Sequence, residues 1–148
     1  MKVLFVCTGN MCRSPMATFM LRAELAKRGI TGIDVDSAGT MHHEKPMTPL
    51  AISTLDKHSI EHGSYVSKYV DADLFGSSDF VFPMTEGHKL ILESTYGKNK
   101  KIVPMSVFLG HEVSDPYGLG EDAYEQTFRE LSKSIPNLVD FLERQKQL

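Results

Sequence analysis

The stretch Val3 to Ser14, VLFVCTGNMCRS, constrains this chain more than any other. Val3, Leu4, Phe5 and Val6 form a short apolar run of β-formers, the pattern of a strand buried on both faces. Thr8, Gly9 and Asn10 then turn the chain, with Gly9 and Asn10 the residues most able to take a positive φ. Ser14-Pro15 opens a helical pattern, and proline suits the first turn of a helix. A strand, a tight loop and a helix N-terminus aim several backbone N–H groups inward and add the positive end of a helix dipole. The hollow is therefore expected to hold an oxyanion.

Cys7 opens that loop, and Arg13-Ser14 closes it. A thiol facing N–H donors and a guanidinium is expected to ionise, which makes Cys7 a nucleophile. The planar fork of Arg13 suits two oxygens of a tetrahedral anion and spreads charge in a transition state. Ser14 is placed to donate its hydroxyl to the sulfur. The two cysteines of the chain, Cys7 and Cys12, lie within this one loop, so they cannot staple a disulfide-rich fold. Two readings of Cys12 stand side by side: a resolving thiol for an oxidised Cys7, or a small apolar packing residue.

A chain of 148 residues with 41% hydrophobic and 24% charged residues is the size and composition of one globular domain, 1–148. A net charge of −3 leaves no nucleic-acid footprint. The early apolar run is too short for a membrane span or a signal-peptide core, so no membrane insertion and a cytoplasmic location are expected. His42, His43, His58 and His62 sit in no recognisable ligand pattern, and neither a metal nor another cofactor is expected. The adjacent His42 and His43 read as a solvated loop.

Further along, Met16, Phe19, Met20 and Ala23 recur at helical spacing and predict an amphipathic helix from about Met16 to Arg28. Ile33 to Asp36 alternates as a second strand, leading into Ser37-Ala38-Gly39-Thr40. Ser37 and Thr40 either brace the phosphate-holding loop, border its mouth, or form a simple turn. Thr48-Pro49 opens a helix to about Lys57. Asp79 to Met84 reads as a third strand whose pairing stops near Pro83, Glu86 to Tyr96 as a helix capped by Thr85, and Lys101 to Val103 as a short fourth strand. A long helix follows Gly120, with Phe128, Leu131, Ile135, Leu138, Val139 and Leu142 on one stripe and a kink or restart expected at Pro136. Strands alternating with helices predict an α/β fold, a parallel sheet between two helical layers.

The run VCTGNMCRSP, with Cys7, Arg13 and Ser14 in this spacing, resembles the low-molecular-weight protein tyrosine phosphatases. DSAGT from Asp36, PMTPLAISTL from Pro46, DFVFPMTEGHK from Asp79 and Asp115-Pro116-Tyr117 are also similar to that family, so the likeness spans essentially the whole chain. The resemblance implies a four-stranded parallel sheet of order 2-1-3-4, with the Cys7 loop at the topological switch point. It implies a metal-independent protein phosphatase acting through a phosphocysteine. Cys7, Arg13 and the general acid Asp115 are its catalytic residues. Thr8, Gly9, Asn10, Met11, Cys12 and Ser14 of the loop bind the phosphoryl group. Tyr117 forms an aromatic wall, and the partner is a phosphorylated protein; nothing in the sequence sets an oligomeric state.

Two substrate classes stay open. Asp-Pro-aromatic-Gly at Asp115 to Gly118 looks like the protein-arginine phosphatase branch, whereas Met11 replaces the threonine usual there and tilts the reading toward phosphotyrosine. Arsenate reduction is discounted because no cysteine follows Cys12. A phosphocysteine carrier or an inactive phosphoprotein-binding module are the remaining alternatives.

Overall fold

In the computed structural model, which describes residues 1–146, β1 (Lys2–Cys7) is the middle of three parallel strands in the order β2-β1-β3. β2 is Asp34–Gly39 and β3 is Phe80–Pro83. Register runs from Lys2 opposite Asp34 to Cys7 opposite Gly39 on one side, and from Val3 opposite Phe80 to Val6 opposite Pro83 on the other. Successive side chains of a strand point to opposite faces. Val3, Phe5 and Cys7 accordingly enter one buried cluster, and Leu4 and Val6 the other.

Helices cover both faces. The Val3 and Phe5 face packs against α1 (Arg13–Lys27), α2 (Pro49–Lys57), α5 (Ser106–Leu109) and α6 (Glu121–Lys146). The Leu4 and Val6 face packs against α3 (Ala72–Ser77) through Phe75 and α4 (Glu86–Tyr96) through Leu92. The short helices α3 and α5 lack a long apolar stripe, which is why periodicity does not announce them. The first half of α1 is buried all round, from Arg13 to Leu21, because it runs beneath the Cys7 loop; only its second half is amphipathic.

The expected fourth strand is a correction. At Lys101 to Val103 a single parallel bridge joins Ile102 to Val81, held by Val81 N–H to Lys101 O and Val103 N–H to Val81 O, both 2.9 Å. Pro83 has no N–H to give to the facing segment, so pairing stops at one bridge with a single further bond, Met105 N–H to Pro83 O at 2.9 Å. The three full strands keep the order expected for them. Of the kink or restart expected at Pro136, the restart does not occur: α6 continues through it, with Leu131, Ile135, Leu138, Val139 and Leu142 anchoring both sides in the core. No helix among the described residues is long and apolar enough to cross a membrane.

Phe82 is fully buried and lies 5.7 Å from the rings of both Phe5 and Phe108, and 6.4 Å from Phe141. It ties the sheet to α5 and α6. Replacing Phe82 with Ala is expected to lower stability by about 3–5 kcal/mol, measured by urea unfolding.

Candidate active site

The loop between β1 and α1 floors a cavity of about 320 Å³. Cys7, Thr8, Gly9, Asn10, Met11, Cys12 and Arg13 line it, and Asp115 and Tyr117 come to its rim from a loop distant in sequence. Of the expected site residues only Ser14 is outside the lining. It is fully buried below, with its Oγ 2.9 Å from Cys7 Sγ.

Asn10 shapes the loop. It takes φ 56°, the left-handed region, whereas Gly9 does not. A side chain there is strained, and Asn10 is held by bonds from every side. Its Nδ2 donates to Ser14 Oγ at 2.7 Å and to Ser37 Oγ at 2.9 Å. Its Oδ1 accepts from Tyr65 OH at 2.7 Å and from Lys68 N–H at 3.0 Å. The amide's donors and acceptor are thus all used. The direction of these bonds matters for the sulfur: since Ser14 Oγ already accepts from Asn10, its own hydrogen is free for Cys7. Asn10 N–H adds a second donor at 3.2 Å from Sγ. Two polar groups, the Ser14 hydroxyl and the Asn10 N–H, thus converge on the sulfur.

Ser37 and Thr40 both brace the loop. Ser37 Oγ lies 2.6 Å from Tyr65 OH, and Thr40 N–H reaches Cys7 O and Thr8 O, each at 3.0 Å. Burial pushes the Tyr65 phenol up from its ordinary range, so it stays a donor. Tyr65 is a loop-bracing residue that the sequence did not disclose. Gly39 is another. A Cβ there would sit 2.6 Å from Thr8 O and 3.0 Å from Asn10 Cβ, so the strand end and the loop can approach this closely only at glycine.

Arg13 is buried, donates to Val113 O at 3.3 Å and lies 3.5 Å from Asp115 Oδ2. Asp115 does two things at once. Its Oδ1 accepts Tyr117 N–H at 3.1 Å, an Asx-turn, while the exposed carboxylate faces Arg13 and the cavity. Its loop is fastened to α6 by buried Glu130, which accepts Ser114 N–H at 2.8 Å and Ser114 Oγ–H at 3.0 Å.

Of the loop histidines, His42 is exposed as expected, whereas His43 is half-buried. His42 stacks on Tyr69 at 3.6 Å, and His43 donates from Nε2 to Gly9 O at 2.7 Å. Met41, His43 and Lys45 make up a wall of the cavity that motif reading missed, since loop residues become neighbours of the site only through folding. Cys12 is a free thiol in a polar triangle, 3.3 Å from Tyr124 OH and 3.5 Å from Thr48 Oγ1. Burial raises its pKa, and burial with the Cys12 contact pushes Tyr124 up to about 12.

His88 of α4 lies against the loop, with Nε2 2.7 Å from Thr8 Oγ1 and Nδ1 2.9 Å from Thr85 Oγ1. Burial first, then the positive charge of Arg13, lowers its pKa from 6.5 to about 4.

The family model described as low molecular weight phosphotyrosine protein phosphatase matches residues 2–148. A low molecular weight protein-tyrosine-phosphatase, PtpB of Staphylococcus haemolyticus, is 32% identical over 93% of this chain and 97% of its own length. A protein-arginine-phosphatase of Bacillus subtilis is 34% identical over 99% of this chain and all of its own. The solved structure of a cysteine-to-serine variant of the YwlE arginine phosphatase, with a phosphorylated active-site serine, has a TM-score of 0.91 at 32% identity and covers 99% of both chains.

Two outcomes are expected. Gly39→Ala pushes the loop off its donors and weakens inorganic phosphate binding about tenfold or more, the equivalent of one well-aligned hydrogen bond, read by calorimetric titration. His88 binds its proton less tightly folded than unfolded. Stability therefore falls as pH drops from 6.5 toward about 4, by up to roughly 3 kcal/mol. Urea unfolding across that window is expected to show a shallower slope for His88→Gln.

Proposed function

The chain belongs to the low molecular weight phosphotyrosine protein phosphatase family, and from that membership we propose that it is a protein phosphatase hydrolysing phosphotyrosine without a metal, in a single domain spanning 1–148 and located in the cytoplasm. The observation that carries the reading is the sulfur of Cys7, met by Asn10 N–H and Ser14 Oγ in a loop that also brings Arg13 beside Asp115.

In the first step Cys7 Sγ attacks phosphorus, forming the S–P bond as the P–O bond to tyrosine breaks. The loop amides between Thr8 and Arg13 other than that of Asn10, which faces the sulfur, and the Arg13 fork hold the three equatorial oxygens and stabilise the charge that develops there. Asp115 gives its proton to the leaving phenolic oxygen. In the second step Asp115 takes a proton from water, the water oxygen attacks phosphorus, and the S–P bond breaks to release inorganic phosphate and the thiolate. Ser14, its hydrogen free for sulfur, favours that departure. Tyr117, exposed at the rim, is placed to flank a phenyl ring.

Phosphoarginine is the second reading. It is supported by the likeness to the Bacillus subtilis protein-arginine-phosphatase and by the exposed Asp115 carboxylate, an acceptor for a guanidinium. Met11 in the cavity floor argues for tyrosine, because a thioether offers a guanidinium no strong acceptor.

Turnover of phosphotyrosine and phosphoarginine peptides is to be measured in the presence of a chelator. Wild type is expected to prefer phosphotyrosine, Cys7→Ser to lose turnover, and Asp115→Asn to lose about a hundredfold or more in kcat. Turnover of neither peptide by wild type sinks the phosphatase reading and leaves a carrier or binding role. Met11→Thr is expected to raise phosphoarginine turnover relative to phosphotyrosine.

A further inference from the structure

His88 is buried against the cavity floor, and the chemistry above makes no use of it. Thr85 caps α4 by accepting His88 N–H at 3.2 Å, and its Oγ1 also meets the ring at Nδ1. The other ring nitrogen meets Thr8 Oγ1 at 2.7 Å. Thr8 directly follows the nucleophile, is exposed, and lines the cavity. We propose that the Thr8 hydroxyl donates a hydrogen bond to an oxygen of the bound phosphoryl group, and that His88 is the positioning residue that turns its hydrogen toward the cavity. This inference rests on the phosphatase reading of the pocket.

The argument is one of hydrogen-bond polarity. A neutral imidazole has one N–H and one lone pair, so Thr85 and Thr8 must play opposite parts toward it. With the proton on Nε2, Thr85 donates to Nδ1, the ring donates to Thr8 Oγ1, and the Thr8 hydrogen is left for the cavity. With the proton on Nδ1, Thr8 gives its hydrogen to the ring and turns only lone pairs toward the cavity, which repel an anion. A bound phosphoryl group therefore selects the first arrangement.

Neutrality is necessary for this choice, and the surroundings supply it. Arg13, Asp115 and Glu112 are the charged groups that act on the ring. Burial and the Arg13 charge outweigh the two carboxylates and keep the ring uncharged at neutral pH. Its anchorage is rigid, because the Thr85 hydroxyl is bound to the first turn of the helix that carries His88.

The test uses inorganic phosphate as the ligand and needs no turnover. Nitrogen-15 NMR of the His88 ring in the phosphate-saturated protein is expected to show the proton on Nε2; a proton on Nδ1 overturns the proposal. By calorimetric titration, Thr8→Val is expected to weaken phosphate binding about five- to tenfold, and Thr8→Ser to restore it. His88→Ala is expected to match Thr8→Val, the double variant to be no worse than either, and His88→Gln, which keeps an amide donor, to stay close to wild type. Unchanged binding in Thr8→Val, or additive losses in the double variant, overturns the proposal; Thr8→Val, a change at an exposed position, keeps the test informative should His88→Ala fold poorly. Phosphate binding that follows this pattern in a protein without peptide turnover would instead count against the phosphatase reading alone.

Discussion

Asn10 sits at φ 56° with its side chain bonded to Ser14, Ser37, Tyr65 and Lys68, and the site depends on that knot. A left-handed residue with a Cβ is disfavoured by about 1–2 kcal/mol. Each good hydrogen bond returns about 1 kcal/mol net, so several partners acting together hold the strained conformation that no single one would. The consequence reaches the sulfur. The same amide that fixes the loop also fills one lone pair of Ser14 Oγ and leaves the Ser14 hydrogen free to face Cys7 Sγ at 2.9 Å.

Around that knot the protein assembles its parts from elements far apart in sequence. β2 contributes Ser37 and the close approach at Gly39. The segment before α3 contributes Tyr65 and Lys68, and α4 contributes His88. α6 contributes Glu130, which pins the Asp115 loop through Ser114, and Tyr124, which holds Cys12. Placement at the carboxyl end of the central strand lets all of these converge, since loops from both helical layers open there.

Much of this was legible beforehand where the cause is local. The strand of Val3 to Val6, the turn at Asn10 and the helix that follows announce themselves by apolar run, turn residue and Ser-Pro. Thr48 and Thr85 mark their helix starts because a cap hydroxyl acts within three residues of itself. Pro83 ends its strand for the same local reason. The misreadings have non-local causes. Lys101 to Val103 looks like a strand, but Pro83 on the facing strand has no N–H to extend the pairing, and a bridge is what forms. Pro136 looks like a break, but the core on either side of it holds α6 together. His43 looks solvated until the loop folds onto Gly9.

The sequence by itself determined the fold class, the strand-loop-helix turn and the choice of Cys7, Arg13 and Ser14 as its candidate site residues, because backbone conformation and side-chain chemistry within a dozen residues specify them. Asp115 was reachable only through family likeness, since an Asp-Pro pair is also an ordinary turn; in the structure it is both a turn and the neighbour of Arg13. Tertiary structure alone decided which groups support the loop. Tyr65, Gly39, His88 and Glu130 act through hydrogen bonds or steric limits across long stretches of chain, and such contacts leave no periodicity or spacing by which a sequence could declare them.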